Sequence, residues 1–165
     1  MNFQKYSVIE EGLVYIDHGP ITMTLEARRN GGAFTEAAVA GAERVLEVFS
    51  ELAVYLDHIR RPVGKKLTLP DITPCAVRKM TESVMLEEED FTPLAAVAGT
   101  TSDLAVEAMV SSGADYALAN NGGDIAWSIS PGQRDFLKVG LISDINSGRT
   151  THSLKIKSFS EIRGL

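Results

Sequence analysis

The sequence predicts an α+β domain, a mainly antiparallel sheet with helices packed against it, and three observations carry that expectation. Segments that read as strands follow one another directly near both ends of the chain, and strands joined by short turns pair antiparallel rather than through helical crossovers. Between them lie three segments with helical periodicity. At 165 residues, with 44% hydrophobic and 23% charged side chains, the chain has the length for one core and not for two. Residues 1–165 are therefore expected to form a single domain.

The elements follow in order. Leu13 to Ile16 is a short apolar run, and Asp17 to Pro20, DHGP, is a turn. From Ile21 to Ala27 the apolar Ile21, Met23 and Leu25 alternate with Thr22, Thr24 and Glu26, the period of a half-buried strand. After Gly31 and Gly32, a helix is expected from Thr35, as N-cap, to about Leu56, because Val39, Ala42, Leu46, Phe49, Leu52 and Leu56 recur at helical spacing. Arg60 to Asp71 contains Pro62, Gly64 and Pro70 and reads as a loop. A second helix is expected with Thr73 as cap and Pro74 in its first position, running to about Met85. The third, alanine-rich, covers Ala95 to Ser112, with Gly113 where a left-handed residue closes many helices. Strands are then expected at Tyr116–Asn120, Asp124–Ser130, Phe136–Leu141 and Ser153–Phe159, separated by turn signals such as Pro131-Gly132. The resulting order is β-β-α-α-α-β-β-β-β.

Composition narrows the partners. A formal charge of −6 argues against a nucleic-acid surface, which needs a basic stripe. The single cysteine, Cys75, excludes an internal disulfide framework and a cysteine-built zinc site. The N-terminal MNFQKYSVIEEG carries acidic residues where a signal peptide has an apolar core, and no apolar run approaches the roughly 20 residues of a membrane span. A soluble, cytoplasmic protein is expected.

Two stretches stand out chemically. In ALANNGGDIAW, Ala117 to Trp127, Asn121-Gly122 is a strong hairpin signal, since a type I′ turn needs positive φ at both central residues. A tight turn is one reading. The other is a ligand site, because adjacent Gly122 and Gly123 strip side chains from the backbone and let a planar or phosphorylated group approach its N–H groups, with Asn120 and Asp124 flanking. In AVAGTTSD, Ala96 to Asp103, a helix start carrying Gly99, Thr100, Thr101 and Ser102 offers N–H groups, hydroxyls and the positive end of a dipole to an anion; the plainer account is that a hydroxyl caps the helix and Asp103 favours its first turn.

Together, AVAGTTSDLAVEAMVSSGADYALANNGGDI resembles the signature of ApbE-like proteins, the FAD:protein FMN transferase superfamily. With Gly99 set on the glycine of the family's Lys-Gly step, Asp103 falls on its helix aspartate, and Asn120, Gly122, Gly123 and Asp124 fall on its Asn-x-Gly-Gly-Asp pattern without a gap. FTPLAAVAG, Phe91 to Gly99, and HGPITMTLEA near the start are similar to an ApbE-like branch also met as a domain of 6-hydroxynicotinate reductase. The resemblance implies an α+β flavin-nucleotide fold, with FAD or FMN as the cofactor and Gly99, Thr100, Thr101, Asp103, Asn120, Asn121, Gly122, Gly123 and Asp124 as the binding residues. Transferase members use magnesium to cleave FAD and pass FMN to a protein threonine. Here Ala98 stands in place of the transferase lysine, and the family's later metal-ligand motif has no counterpart before Leu165, so no magnesium site carries over.

Other candidates rank lower. His18, His58 and His152 lack ligand spacing and read as surface or hydrogen-bonded histidines. Cys75, beside Pro74, reads as a small buried hydrophobe more readily than as an activated thiol. Glu87 to Asp90 reads as a solvated acidic loop, and Arg60 to Lys66, with four positive charges, as an exposed basic one. Trp127 is expected in the core or an interface rather than stacked on a flavin. Three functions stay open: an ApbE-like enzyme or reductase domain, a module holding a flavin or nicotinate-like ring without catalysis, and a structural or interaction module. Resemblance also leaves the sheet short of strands after Lys155, with Ile156 and Ile162 poorly covered, so self-association or pairing with a C-terminal portion is expected.

Overall fold

In a computed structural model of the chain, residues 5–63, 69–85, 91–132, 136–142, 146 and 148–157 are described. Among them, six strands form one sheet. Its antiparallel path runs β1 (Tyr6–Glu10), β2 (Leu13–His18), β3 (Ile21–Arg29), β5 (Tyr116–Asn121) and β6 (Asp124–Ile129), with the short β4 (Gly32–Ala33) paired to β3. Expected hairpins β2–β3 and β5–β6 both form. Strand β1 was not expected. Its side chains are mostly exposed, so it lacks the apolar alternation by which a strand is read, and its register with β2 shifts between Val8 and Glu10.

Alternation assigns the two faces. Val14, Ile16, Met23, Leu25, Ala27, Ala117, Ala119 and Ala126 point to one side and are buried beneath two helices. Helix α1 (Thr35–Val54) contributes Ala37, Ala38, Ala42 and Val45 to this core, and α4 (Val97–Ser111) contributes Ala105, Val106 and Met109. Small residues set the spacing: a Cβ on Gly41 of α1 would stand 2.8 Å from Met109 Cγ and 3.3 Å from the Ala105 carbonyl. The short α2 (Leu56–Ile59) and α3 (Cys75–Met85) extend the helical layer, where Ile59, Ala76, Val77 and Met80 pack with Val48, Leu52 and Leu104 in a second cluster.

The helix ends correct several expectations. Thr35 does not cap α1: Phe34 holds that position, and the Thr35 hydroxyl instead accepts the Gly12 N–H at 2.9 Å, tying the β1–β2 turn to the helix. Pro74 lies just outside α3, its carbonyl accepting the Arg78 N–H at 3.0 Å. The third expected helix starts as a 3₁₀ turn, Pro93–Ala96, and becomes α-helical at Val97. Its end matches the expectation. Gly113, at φ 97°, follows the C-cap Ser112, the Ala114 N–H reaches the Met109 carbonyl at 3.1 Å and the Gly113 N–H the Val110 carbonyl at 2.9 Å. These are the two hydrogen bonds of a Schellman motif.

The tight turn falls one residue later than Asn121-Gly122 suggests. Asn121 and Asp124 are paired, so Gly122 (φ 63°) and Gly123 (φ 113°) occupy the two central positions and meet the demand for positive φ. The last two strands do not extend the main sheet. β7 (Phe136–Leu141) and β8 (His152–Lys157) pair as a separate two-stranded sheet, and β8 begins one residue before the expected Ser153; Phe159 lies outside the described residues. Leu137 and Ile156 pack with Trp127, flanked by Leu118, Ile125, Ile129 and Val139, against the face of β5–β6 away from the helices. Ile156 is thus 5% exposed, correcting the expectation that it lacks cover, while Ile162 is outside the described residues. Among the described residues no helix is long and apolar enough to cross a membrane.

Candidate functional site at the junction of α4 and the β5–β6 hairpin

The fold brings the two distinctive stretches together. Strand β5 runs from the Schellman end of α4 back along the helix, so the β5–β6 turn arrives beside the helix start. There the Ser102 hydroxyl donates to the Asp124 carbonyl at 3.2 Å, and Asn121 Nδ2 approaches the Ala98 carbonyl at 3.5 Å. The turn is braced from within, since Asn120 Oδ1 accepts the Gly123 N–H at 3.0 Å. Around this contact Gly99, Gly122 and Gly123 are exposed, and a Cβ built on any of the three meets nothing within 4 Å. Backbone without side chains is therefore presented to solvent from the helix and from the hairpin at one place.

The remaining candidates divide. Gly99 is the third residue of α4, inside its first turn, in line with a helix expected from Ala95. Thr100, Thr101 and Ser102 are buried and none caps the helix: position Ala96 makes no side-chain cap bond, and the Thr101 hydroxyl donates to the Val97 carbonyl at 2.7 Å within the helix. Asp103 is exposed and lies in the field of Lys79 on α3 and of Glu107 one turn on. Partial desolvation holds its carboxyl above the ordinary value; Lys79 opposes that shift and Glu107 reinforces it. Lys79 pairs with Glu107, so Asp103 belongs to the α3–α4 seam as well as to the helix start. The side chain of Asp124 is exposed at the turn.

Of the lesser candidates, Trp127 is in the core, 8% exposed. Cys75 is exposed, which corrects its reading as a small buried hydrophobe. His58, expected as a surface or hydrogen-bonded histidine, is half-buried, with its Nε2 buried and without a hydrogen-bond partner among the described residues. His152 contacts the Thr151 hydroxyl at 3.1 Å, and His18 meets the Phe49 ring edge-on at 5.3 Å. Arg60 and Arg61 are exposed; Lys65, Lys66 and Glu87 to Asp90 lie outside the described residues. Among the described residues no three His, Cys, Asp or Glu side chains gather as metal ligands.

Sheet, helical layer and glycine-edged junction define an α+β protein with one candidate ligand face. The chain belongs to the family described as AbpE bacteria, whose model matches residues 7–165. It is also similar to UPF0280 proteins. One from Methanosarcina acetivorans is 43% identical over 81 residues, 44% of this chain and 31% of its own length. One from Methanosarcina barkeri is 41% identical over 113 residues, 64% of this chain and 44% of its own length. A third, from Methanothrix thermoacetophila, is 68% identical over 34 residues. The chain thus spans less than half the length of the curated relatives it matches.

Proposed function

We propose that the junction of α4 and the β5–β6 turn binds a flavin nucleotide or a related heteroaromatic ligand, and that this chain alone does not act as an FMN transferase. The observation that carries the reading is the open approach at Gly99, Gly122 and Gly123, held in place by the Ser102–Asp124 and Asn121–Ala98 contacts. A flat ring gains most from such a surface, because it can lie close against glycine backbone that carries no Cβ, the Gly123 N–H itself being taken by Asn120 Oδ1. The resemblance of these same residues to the ApbE-like flavin transferases supports the choice of ring.

The charge of the site argues for a ring rather than a bare diphosphate. Val97 to Asp103 and Asn120 to Asp124 contain two carboxylates and no lysine or arginine, so an uncompensated pyrophosphate there would be repelled. A flavin fits through its ring, with its phosphates directed away from the junction. The test is a fluorescence titration of FMN and riboflavin against the wild type and Gly99→Leu. The leucine sits on an exposed helix position with free space around it, so the variant folds while covering the ring face. At least a tenfold loss of affinity is expected; equal affinity in the folded variant rejects the junction, and no binding by the wild type rejects the function.

A further inference from the structure

A second hairpin tip stands at the same end of the sheet. His18 pairs with Ile21 at the closed end of β2–β3, and Met23 of β3 pairs with Asn121 of β5, so the DHGP turn and the Gly122-Gly123 turn project from one edge of the fold, separated by strand β3 alone. They also share a side. His18 follows Val14 and Ile16 in the alternation of β2 toward the helices, as Asn121 follows Ala117 and Ala119 in β5. There Phe49 of α1 fixes the imidazole edge-on, with the ring planes at 76° and the centroids 5.3 Å apart. The ring nitrogens make no hydrogen bond within the described residues. On that side β3 contributes the half-buried Ile21 between the tips, Thr22 alternating to the opposite face.

We propose that His18 is the far wall of the ligand site, so that the occupant is a fused-ring heteroaromatic lying from Gly122-Gly123 to His18, rather than a single-ring nicotinate. This rests on the junction being a ring-binding site. Two strand spacings separate β2 from β5, roughly 10 Å. One six-membered ring cannot touch both tips, whereas a tricyclic ring of the flavin type reaches across, with a carbonyl of its polar edge accepting a hydrogen bond from the imidazole. Among the described residues Phe49 holds that imidazole by packing, which leaves its nitrogens for the ligand.

The experiment titrates riboflavin and nicotinate separately into wild type, Gly99→Leu, His18→Phe and His18→Gln, each checked for fold by circular dichroism. Phenylalanine keeps the ring against Phe49 and removes the nitrogens; glutamine keeps a donor and gives up part of the packing. Riboflavin affinity is expected to fall about tenfold in His18→Phe, the worth of one well-made hydrogen bond, and to stay within about threefold in His18→Gln on the same reasoning. Nicotinate is expected to bind far more weakly than riboflavin. Wild-type affinity in His18→Phe, with loss in Gly99→Leu, overturns the far wall and leaves the junction standing. Nicotinate binding as tightly as riboflavin also overturns it. Failure of the wild type to bind riboflavin overturns both.

Discussion

Ser102, fully buried in the first turns of α4, donates its hydroxyl to the main-chain carbonyl of Asp124 at 3.2 Å, so one hydrogen bond joins the helix to the hairpin that it serves. Neither residue needs the other for its own secondary structure. The bond fixes where the two meet.

Removing it is expected to cost stability as well as placement. Ser102→Ala deletes a neutral hydrogen bond while leaving an acceptor at a solvent-accessible turn, and such losses amount to about 1 kcal/mol. For a domain of this size that corresponds to a fall in Tm of about 2–4 °C. Thermal unfolding followed by circular dichroism measures it, and an unchanged Tm shows that the contact contributes nothing.

Gly12 and Gly31 form a matched pair for backbone strain. Both have positive φ, 75° and 78°, but a Cβ on Gly12 would stand 2.8 Å from the Ala27 carbonyl and 2.9 Å from Ala33 Cβ, whereas one on Gly31 meets nothing within 4 Å. Gly31→Ala is expected to cost only the left-handed penalty, about 1 kcal/mol. Gly12→Ala adds overpacking and is expected to cost about 3 kcal/mol. Urea unfolding of the two variants side by side checks the ratio; similar midpoints contradict it.

Asp103 gives a pH signature. Its carboxyl is held above the ordinary value of 3.8, chiefly by desolvation, so the folded state binds its proton more tightly than the unfolded state does. Stability contributed by this group therefore falls as pH rises from that ordinary value through the raised one, and the penalty is fully present above both. Asp103→Asn is expected to stabilise the protein at pH 7 and to lose that advantage near pH 3. A variant advantage that grows toward low pH reverses the sign and refutes the argument.

Incubation of this chain with FAD and magnesium is expected to release no AMP above a protein-free blank. Ala98 offers no charge to a pyrophosphate, and the junction adds only carboxylates. Chromatographic detection of AMP that scales with protein concentration establishes the opposite.

Much of the fold was legible because local chemistry and tertiary role agree in it. Ile21, Met23 and Leu25 alternate because one face of β3 is buried, and Gly113 ends α4 because the Schellman geometry demands positive φ. Legibility failed where a side chain serves a distant element. Thr35 looks like a cap, but its hydroxyl is taken by Gly12, 23 residues away, and nothing local to either residue announces that bond. Ser102 likewise looks like a cap and instead holds Asp124. For the candidate site, the motif residues were readable as two stretches, and their contact follows from β5 retracing α4. The place of His18 depends on the register of β2, β3 and β5 together, which no single segment encodes. Strand β1 was hidden for a simpler reason: its exposed side chains follow no pattern.

The β7–β8 hairpin has a further consequence. It shares no strand pairing with the six-stranded sheet among the described residues, and it is attached through the cluster of Trp127, Leu137 and Ile156. Such a unit can lift away without breaking the main hydrogen-bond ladder, so its opening costs less than global unfolding. Its amides should then exchange with solvent ahead of those of β3 and β5, by a sub-global opening rather than by melting. Trp127 is the one tryptophan in the sequence, and its indole lies under the hairpin. Its emission should shift to the red in mild denaturant while the far-ultraviolet signal of the helices is still intact, giving this protein a built-in optical reporter of a partly opened state.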